Sequence, residues 1–399
     1  MATQAQNRDS GTVVEPPTVG RLVSLDVFRG LTVVGMILVN NPGSWGSTYA
    51  PLKHAEWHGW TPTDLVFPFF LFIVGVSIPF ALASRRDDPT KRRPALGRIV
   101  RRSLVLFGIG LFLAKFPFFR EDWREIQDPD HWLKMAKTLR IPGVLQRIAL
   151  CYLAASLVFL NTRLKGQVLA IVGLLVGYWY ALTFCPVPGF ETGDLARGHD
   201  LGSYLDRMLL AGHIYKPDYD PEGLLSTLPA IATTLLGVLA GQWLRSGRDR
   251  FEVDAGLFVA GAACCVAGSA WGMAFPINKA IWTSSFVLWT GGLAMIGLAT
   301  CYWLIDLHGR RRWAYPFRVF GGNAIAAYVL AAMGARLLNL PTIAKAGGPM
   351  VSAHQWIYDA YLLPALSPHN ASLAYAAVFV LACFLVVAAL DKLGVHIRA

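Results

Sequence analysis

Six long blocks of the sequence contain no Asp, Glu, Lys or Arg, and this feature constrains the fold most strongly. The blocks are residues 65–83, 168–190, 223–244, 255–278, 280–305 and 371–390. A helix needs about 20 apolar residues to cross a bilayer, so each block is near or above the required length. Only 15% of the residues are charged, whereas soluble proteins carry about a quarter. The chain is therefore predicted to cross a membrane several times.

Helices satisfy their own backbone hydrogen bonds in lipid, so apolar blocks of this length favour helical spans. The predicted fold class is an all-α, polytopic integral membrane bundle of about ten transmembrane helices. The predicted spans are residues 22–39, 63–83, 99–118, 142–160, 167–185, 223–244, 255–274, 282–305, 319–338 and 371–390. Because their number is even, both termini lie on the same side.

The distribution of basic residues predicts which side that is, because cytoplasmic loops carry an excess of Lys and Arg. Segment 85–102 holds eight basic residues. Segment 186–222, on the opposite side, holds seven acidic residues against three basic ones. Both termini are therefore predicted to be cytoplasmic. The net charge of +11 follows this topology and gives no support for nucleic-acid binding, because no basic stripe is interleaved with aromatic residues.

The chain is read as a disordered cytoplasmic tail, residues 1–20, followed by one transmembrane domain, residues 21–399. The tail is polar and has no apolar stretch of the kind found in a cleaved signal peptide. The six cysteines lie in or at the ends of apolar segments and form no C-x-x-C pair, so no metal site or disulfide is expected.

Polar residues near the two ends of the first span are the first candidates for chemistry, because polar groups inside a membrane are costly and usually functional. Asp26 and Arg29 share a helix face near the cytoplasmic end. They form either a structural ion pair or a cationic subsite for an anion that enters from the cytoplasm.

The other end of the first span brings an amide, an imidazole and a carboxylate to the outer boundary. Asn40 and Asn41 end the span, His54 follows in the outer loop, and Asp64 begins the second span. An imidazole can take a proton from an attacking amine or hydroxyl, and an amide N–H can stabilise an oxyanion. A histidine in a loop more often has no catalytic role than a catalytic one. No catalytic role is predicted for His58.

Further polar residues lie at or near the ends of later spans, and each alone could be a helix cap or a headgroup contact. They are Gln146, Arg147, Glu222, Asn278, Lys279 and Asn323. Their convergence would form a polar cavity. No motif for ATP hydrolysis, serine hydrolysis, zinc chemistry or dinucleotide binding is present.

Five ordered motifs resemble the heparan-alpha-glucosaminide N-acetyltransferase family, within the broader transmembrane acyltransferases. The first two lie in SLDVFRG and in the run from Lys53 to Asp64, which continues as VFPFFLFIVG. The others are LRIPGVLQRIA at 139–149, DPEGLLST at 220–227 and PINKAIWTSSFV at 276–287. We expect this chain to differ from the lysosomal members in lacking their long N-terminal extension. Its loop between Asn40 and His54 is a few residues longer than theirs.

The resemblance implies a transmembrane acyltransferase that moves an acetyl group from cytosolic acetyl-CoA to the amine of an amino sugar on the far side. It implies that His54 is the catalytic histidine, with Asn40 and Asp64 beside it. We expect acetyl-CoA to meet Arg29, Asp26, Gln146 and Arg147. We expect the acceptor to meet Asn41, Trp57, Glu222, Asn278, Lys279 and Asn323, and no metal is expected.

Three alternatives stay open at the level of the sequence. A transporter of a sugar or glycan precursor explains the intramembrane polar groups equally well, although transporters often contain repeats and none is evident. An O-acyltransferase would use a glycan hydroxyl. His54 acts either as a base in direct transfer, which we favour, or as a nucleophile that is acetylated first. The expected location is a bacterial inner membrane. The expected partners are acetyl-CoA, the amino-sugar or glycan acceptor, the lipid bilayer and a second copy of the chain.

Overall fold

A computed structural model of the protein describes residues 22–86, 88–119, 123–344 and 350–395. The tail predicted for residues 1–20 lies outside the described residues. In the described part, helices dominate, and two short antiparallel strands, β1 (Pro341–Ala344) and β2 (Met350–Ser352), form a small hairpin. Short 3₁₀ turns at Ala50–Leu52 and Pro62–Leu65 shape the loop between the first two helices.

The helices follow the apolar blocks of the sequence closely. They are α1 (Val23–Asn40), α2 (Val66–Arg86), α3 (Pro89–Lys115), α4 (Pro129–Lys137), α5 (Val144–Asn161), α6 (Leu164–Phe184), α7 (Leu201–Leu209), α8 (Thr227–Leu244), α9 (Arg250–Gly272), α10 (Ser284–Tyr302), α11 (Tyr315–Gly322), α12 (Ala324–Leu338), α13 (Ala353–Ile357) and α14 (Pro368–Lys392).

The all-α, polytopic fold is confirmed. Among the described residues, eight helices are long and apolar enough to cross a bilayer, or nine if α11 and α12 form one bent span. Nine of the ten predicted spans each overlap one helix, and the tenth, residues 319–338, is divided between α11 and α12. The predicted span 99–118 falls in α3, which is outside this count because its apolar part also carries Arg101, Arg102 and Lys115.

The prediction of one continuous span over residues 319–338 is wrong. The chain bends by 87° between α11 and α12, at Asn323, which ends α11 with φ −125° and ψ 35°. The sequence Gly-Gly-Asn at this point is a weak helix former, and paired small residues are a usual place for a sharp kink.

Two glycines allow α11 to pack closely against α1. A Cβ at Gly30 would lie 1.7 Å from the carbonyl oxygen of Phe317, and a Cβ at Gly321 would lie 1.8 Å from that of Asp26. Small residues let helix backbones approach this closely in membranes. The half-helix α11 is therefore held against α1, next to Asp26 and Arg29, while α12 turns away.

The other main contacts pair α2 with α8, α9 with α10, and α3 with α5. The buried core lies among α1, α2, α5, α8 and α10, whose facing residues include Phe72, Val76 and Phe286. Helices α6, α9 and α14 are mostly exposed along their lengths, as expected for helices that face lipid. The central helices therefore enclose the interior, and the peripheral ones surround them.

Candidate active-site cavity

A cavity of about 920 Å³ runs through the middle of the bundle. Its lining includes Asp26 and Arg29 near the start of α1 and Asn40 at the end of the same helix. From Asp26 to Asn40 the helix rises about 20 Å, at about 1.5 Å per residue. The cavity therefore extends over most of the roughly 30 Å hydrocarbon thickness of a bilayer. Its two ends are called the His54 end and the Arg29 end.

The His54 end contains Trp57, His54, Asp64, Glu222 and Lys279. It is built from the loop between α1 and α2 together with the loops before α8 and α10. The waist of the cavity is apolar and is lined by side chains such as Phe67, Phe70, Ile73, Ile148 and Ile325. The Arg29 end contains Asp26, Arg29, Ser77 and Arg102.

Asp64 is the anchor of the His54 end and is 1% exposed. Its Oδ1 lies 2.6 Å from Nδ1 of His54. Its Oδ2 accepts hydrogen bonds from the backbone N–H groups of Ala55 and Thr61, both at 3.0 Å. Thr61 and Asp64 also form a capping box on the 3₁₀ turn before α2. These donors require a carboxylate, so Nδ1 of His54 carries the proton, and Nε2 is left as the basic nitrogen.

Lys279 brings a positive charge to this pair. Its Nζ lies 3.3 Å from Oδ1 of Asp64 and 3.0 Å from Nδ1 of His54. Because an ammonium and an Nδ1–H are both donors, the attraction is to the carboxylate between them. Burial lowers the pKa of Lys279, and the charge of Asp64 opposes that shift.

Arg140 holds two further carboxylates, Asp220 and Glu222, at the same end of the cavity. Its guanidinium donates to both carboxylate oxygens of Asp220, at 2.9 and 2.6 Å, and also to Glu222. Burial lowers the pKa of Arg140, but its bonds to Asp220 and Glu222 outweigh burial and raise it overall. Glu222 is therefore positioned by Arg140 where it lines the cavity.

Aromatic rings and an arginine form the mouth of the His54 end. Trp57 and Tyr219 meet edge to face with ring centres 5.5 Å apart, and the indole N–H of Trp57 donates to the Leu195 carbonyl at 2.7 Å. The guanidinium of Arg197 lies over both rings, 5.3 Å from Trp57 and 5.6 Å from Tyr219. Such rings offer an apolar face beside polar groups, which suits a ligand that has both.

Arg29 is held by three elements at the opposite end. It donates to Asp26 at 3.0 Å, to the Gly321 carbonyl at 3.2 Å and to Oγ of Ser77 at 3.1 Å. The ion pair predicted as one alternative is present, and it joins α1, α2 and α11. Arg29 also lines the cavity, so its guanidinium remains in reach of a ligand there.

Arg102 approaches the same end from α3. Its guanidinium lies 4.9 Å from the ring centre of Tyr152, and its buried Nε has no hydrogen-bond partner among the described residues. An unpaired buried donor costs free energy unless a ligand or water completes it. This donor therefore marks a place for an acceptor atom such as a phosphate oxygen.

The structure brings eight of the predicted site residues to the cavity wall: Asp26, Arg29, Asn40, His54, Trp57, Asp64, Glu222 and Lys279. The other five lie outside its lining. Asn41 donates to the Ile37 carbonyl and ends α1, Gln146 is buried against Gly110 and Gly143, and Asn278 accepts from the Ile281 N–H within its own loop.

Arg147 and Asn323 are also fully buried away from the lining. Arg147 lies 5.2 Å from the ring centre of Trp282 and donates to the Gly223 carbonyl at 3.0 Å, one residue after Glu222. It supports the loop that carries Glu222. Asn323 lies at the break between α11 and α12, and neither of its side-chain polar atoms has a partner among the described residues.

Sequence reasoning missed several residues that line the cavity: Arg102, Arg140, Tyr152, Arg197 and Tyr219. Arg102 contributed only to the excess of basic residues that predicts the topology. Arg140 stands within the motif LRIPGVLQRIA, and its charge beside an apolar span was the available signal. Within the described residues, no group of three or more His, Cys, Asp or Glu side chains is arranged to hold a metal ion.

Fold and cavity together define a polytopic membrane protein whose interior links an acid–base cluster at one end with arginines at the other. The family model for the catalytic region of heparan-alpha-glucosaminide N-acetyltransferase matches residues 21–270. The chain therefore belongs to the heparan-alpha-glucosaminide N-acetyltransferase family, which confirms the resemblance seen in its motifs.

Two relatives are themselves called heparan-alpha-glucosaminide N-acetyltransferase. The chain is 33% identical over 364 residues to the protein of Mus musculus, covering 77% of this chain and 53% of that protein. It is 32% identical over 365 residues to the protein of Homo sapiens, covering 77% and 52%. The chain thus spans about half the length of the curated relatives it matches.

Proposed function

We propose that the chain is a transmembrane acetyltransferase that transfers acetyl from acetyl-CoA to the amine of an amino sugar, through the cavity. The observation that carries the proposal is the single cavity with His54 at one end and Arg29 and Arg102 at the other. A cavity of this kind lets a donor and an acceptor reach the same reacting atoms from opposite faces. The family match and the names of the relatives support the acetyl group and the glucosamine-type acceptor.

His54 is the proposed general base. Its Nε2 removes a proton from the neutral acceptor amine as the nitrogen attacks the thioester carbonyl. The C–S bond then breaks, and the proton passes from Nε2 to the departing thiolate, so the imidazole is regenerated. Asp64 holds the tautomer that this transfer needs, with Nδ1–H directed at its carboxylate. Asn40 supplies an amide donor for the oxyanion.

Arg29 and Arg102 are the proposed phosphate contacts of the donor. Phosphates cannot enter hydrocarbon cheaply, since one charge at the bilayer centre costs at least about 2.5–3.5 kcal/mol. The nucleotide end should therefore stay at the Arg29 end, while the slender pantetheine arm runs along the apolar waist toward His54. Asp26 orients Arg29 through their 3.0 Å ion pair. Gln146 and Arg147 act only through the residues they support.

Trp57, Glu222 and Lys279 are the proposed acceptor contacts at the His54 end. Glu222 offers a carboxylate to a sugar hydroxyl or ammonium, and Trp57 offers a ring face. Asn41, Asn278 and Asn323 take part only by holding the surrounding loops and helices.

The topology, the location and the assembly are further parts of the proposal. The excess of basic residues supports cytoplasmic termini, with the Arg29 end facing cytosolic acetyl-CoA, in a bacterial inner membrane. Cysteines placed at Thr90 and at Glu191 test this orientation with a membrane-impermeant thiol reagent. Glu191→Cys should react in intact cells and Thr90→Cys only after the cytoplasmic face is opened, and the reverse pattern would overturn it. A homodimer is proposed as well, and mass photometry of the purified protein tests it.

The acceptor class is tested with purified protein and radiolabelled acetyl-CoA. Glucosamine, N-acetylglucosamine and glucose are offered separately, because the second sugar has its amine blocked and the third has only hydroxyls. We expect label on glucosamine alone. Label on all three sugars would instead identify an O-acyltransferase, and uptake of sugar into vesicles without any acetylation would identify a transporter.

The covalent route gives a different result in the same preparation. If His54 is a nucleophile, incubation with acetyl-CoA and no acceptor leaves one acetyl group on its imidazole and releases one thiol per protein. Peptide mass spectrometry after rapid quenching detects that adduct. We expect none, because direct transfer needs the acceptor amine to release the thiol.

A further inference from the structure

The waist of the cavity is mostly apolar, but the donor arm that would cross it is not. Pantetheine carries two amide groups between its thiol and the nucleotide phosphates, so the inference below rests on the proposed function. An amide that leaves water without gaining a hydrogen-bond partner costs free energy. A waist that admits this arm should therefore contain a polar group for it.

Tyr328 is the polar side chain that α12 presents to the waist. It lines the cavity together with Ala324 and Ile325, and the rest of the helix is apolar apart from Arg336. Tyrosines of membrane proteins are enriched at the boundary with water. Arg336, near the end of α12, donates to the Phe116 carbonyl at 3.2 Å, and Tyr328 lies about 12 Å before it along the axis. A boundary position therefore does not account for its hydroxyl.

The hydroxyl of Tyr328 is available to a ligand. It forms no hydrogen bond with a described residue, and its oxygen is not among the buried polar atoms that lack a partner. The oxygen is therefore accessible, and the cavity is the space that this side chain lines. Two other hydroxyls of the lining are already engaged. Thr63 donates to the Pro51 carbonyl at 3.1 Å, and Ser77 donates to the Ile73 carbonyl at 2.9 Å.

The position of Tyr328 along the cavity determines which part of the arm it meets. Helix α12 begins near the Arg29 end, because the carbonyl of Gly321, just before the break, accepts a hydrogen bond from Arg29 at 3.2 Å. Further along the helix, the charges of Glu222 and Arg140 act on the Tyr328 side chain. These two residues belong to the His54 end. Tyr328 therefore lies between the waist and the His54 end, where the part of the arm nearest the thiol should pass.

We propose that the hydroxyl of Tyr328 binds the pantetheine amide nearer the thiol, by donating to its carbonyl oxygen. The two methylene groups between that amide and the sulfur then extend toward the thioester and His54. Tyr152, the other tyrosine of the waist region, lies beside Arg102 at the Arg29 end, which places it nearer the phosphates. The Tyr328 contact is made before and during acetyl transfer alike, so it contributes to donor binding rather than to turnover.

Tyr328→Phe tests the contact, because it removes the hydroxyl and keeps the ring. Calorimetry should show that CoA and pantetheine binding weaken by the same factor, about two- to tenfold, as expected for one hydrogen bond between neutral groups. Loss of a phosphate contact would instead leave pantetheine binding unchanged. The KM for acetyl-CoA should rise by a similar factor, with kcat and the KM for glucosamine unchanged. Tyr302→Phe is the matched control, because Tyr302 is a buried tyrosine of α10 outside the cavity lining.

Two CoA analogues identify the atoms that Tyr328 contacts. In the first, two methylene groups replace the amide nearer the thiol, and in the second they replace the other amide. The first replacement should weaken binding to the wild type by a factor about two- to tenfold larger than its effect on Tyr328→Phe. The second replacement should have the same effect on both proteins. Mutation and replacement are then coupled at the contacted amide alone.

The outcomes separate this inference from the proposed function. Equal effects of the first replacement on the wild type and on Tyr328→Phe would overturn the inference. An unchanged CoA affinity in Tyr328→Phe would do the same, as would a lower kcat with unchanged donor affinity. All three results leave the proposed acetyl transfer intact. Failure of the wild type to bind CoA would overturn the proposed function, and the Tyr328 contact with it.

Discussion

The two ends of the cavity hold their charged groups in different ways. At the His54 end, the partners of one buried carboxylate come from the eleven residues between His54 and Asp64, and among the described residues Lys279 is the one partner from far along the chain. At the Arg29 end, a guanidinium is held by α1, α2 and α11, and Arg102 approaches from α3. A local carboxylate fixes the orientation of an imidazole, whereas an arginine held by three helices depends on the packing of the bundle.

This difference predicts how each end responds to mutation. Substitutions at the His54 end should change turnover and leave the fold intact, because the loop has its own hydrogen bonds. Substitutions at the Arg29 end should affect donor affinity, stability or both. The following predictions are ordered from the largest expected effect to the smallest.

His54→Ala should lower kcat by about 10²–10⁴-fold, the usual contribution of a positioned acid–base group. Donor affinity should change little, because the imidazole lies far from the phosphate contacts. Steady-state kinetics with glucosamine as acceptor provide the measurement. His58→Gln is the control, since His58 is in the same loop but faces Asn278 at 3.3 Å. Wild-type turnover by His54→Ala would remove this residue from the mechanism.

Arg102→Gln should weaken CoA binding by about 10- to 100-fold, as expected for a charge-assisted hydrogen bond to phosphate. Pantetheine, which lacks the nucleotide phosphates, should bind as before, and calorimetry compares the two ligands. The exposed neighbour Arg101→Gln is the control. Equal weakening of CoA and pantetheine would show that Arg102 only supports the packing.

Arg29→Gln sharpens the comparison, because Arg29 has protein partners on three helices. We expect a lower melting temperature together with weaker CoA binding. Weaker CoA binding with an unchanged melting temperature would assign Arg29 to the ligand alone. A lower melting temperature with unchanged CoA affinity would assign it to the Asp26 ion pair alone.

Lys279→Met should lower kcat by about two- to fivefold. The partly exposed ammonium of Lys279 pairs with Asp64, and pairs of this kind contribute about 0.2–1 kcal/mol. Lys53→Met is the control, because Lys53 is an exposed lysine next to His54. This variant should retain wild-type turnover. A loss as large as that of His54→Ala would instead make Lys279 a direct participant in proton transfer.

The smallest effect concerns the loop that carries Glu222. Burial raises the pKa of Asp206 to about 6, and its Oδ1 accepts the Leu224 N–H at 2.9 Å. The folded state therefore keeps a proton that the unfolded state loses near pH 4, so stability falls as the pH rises from about 4 to 6. Asp206→Asn should remove this part of the pH dependence of the melting temperature, while Asp218→Asn should retain it. An unchanged slope in Asp206→Asn would contradict the assignment.

Much of the fold was predictable from the sequence, because membrane-spanning helices are encoded by local apolar length. The kink at Asn323 was not, since the local Gly-Gly-Asn sequence only permits a break, and α11 is held in place by the contact of Gly30 with Phe317 across 287 positions of chain. The His54–Asp64 pair was predictable because both residues lie in one short motif. Arg102 and Arg197 were not, because what distinguishes them from other basic residues is the cavity they face, and tertiary packing creates that cavity.

Acetyl transfer across a sealed bilayer tests the central claim, that one cavity joins the two faces. Acetyl-CoA is enclosed within proteoliposomes, and glucosamine is supplied only outside. The account predicts that N-acetylglucosamine appears outside while free CoA thiol appears only inside, and that His54→Ala slows both by about 10²–10⁴-fold. Formation of product only when donor and acceptor are on the same side of the membrane would contradict it.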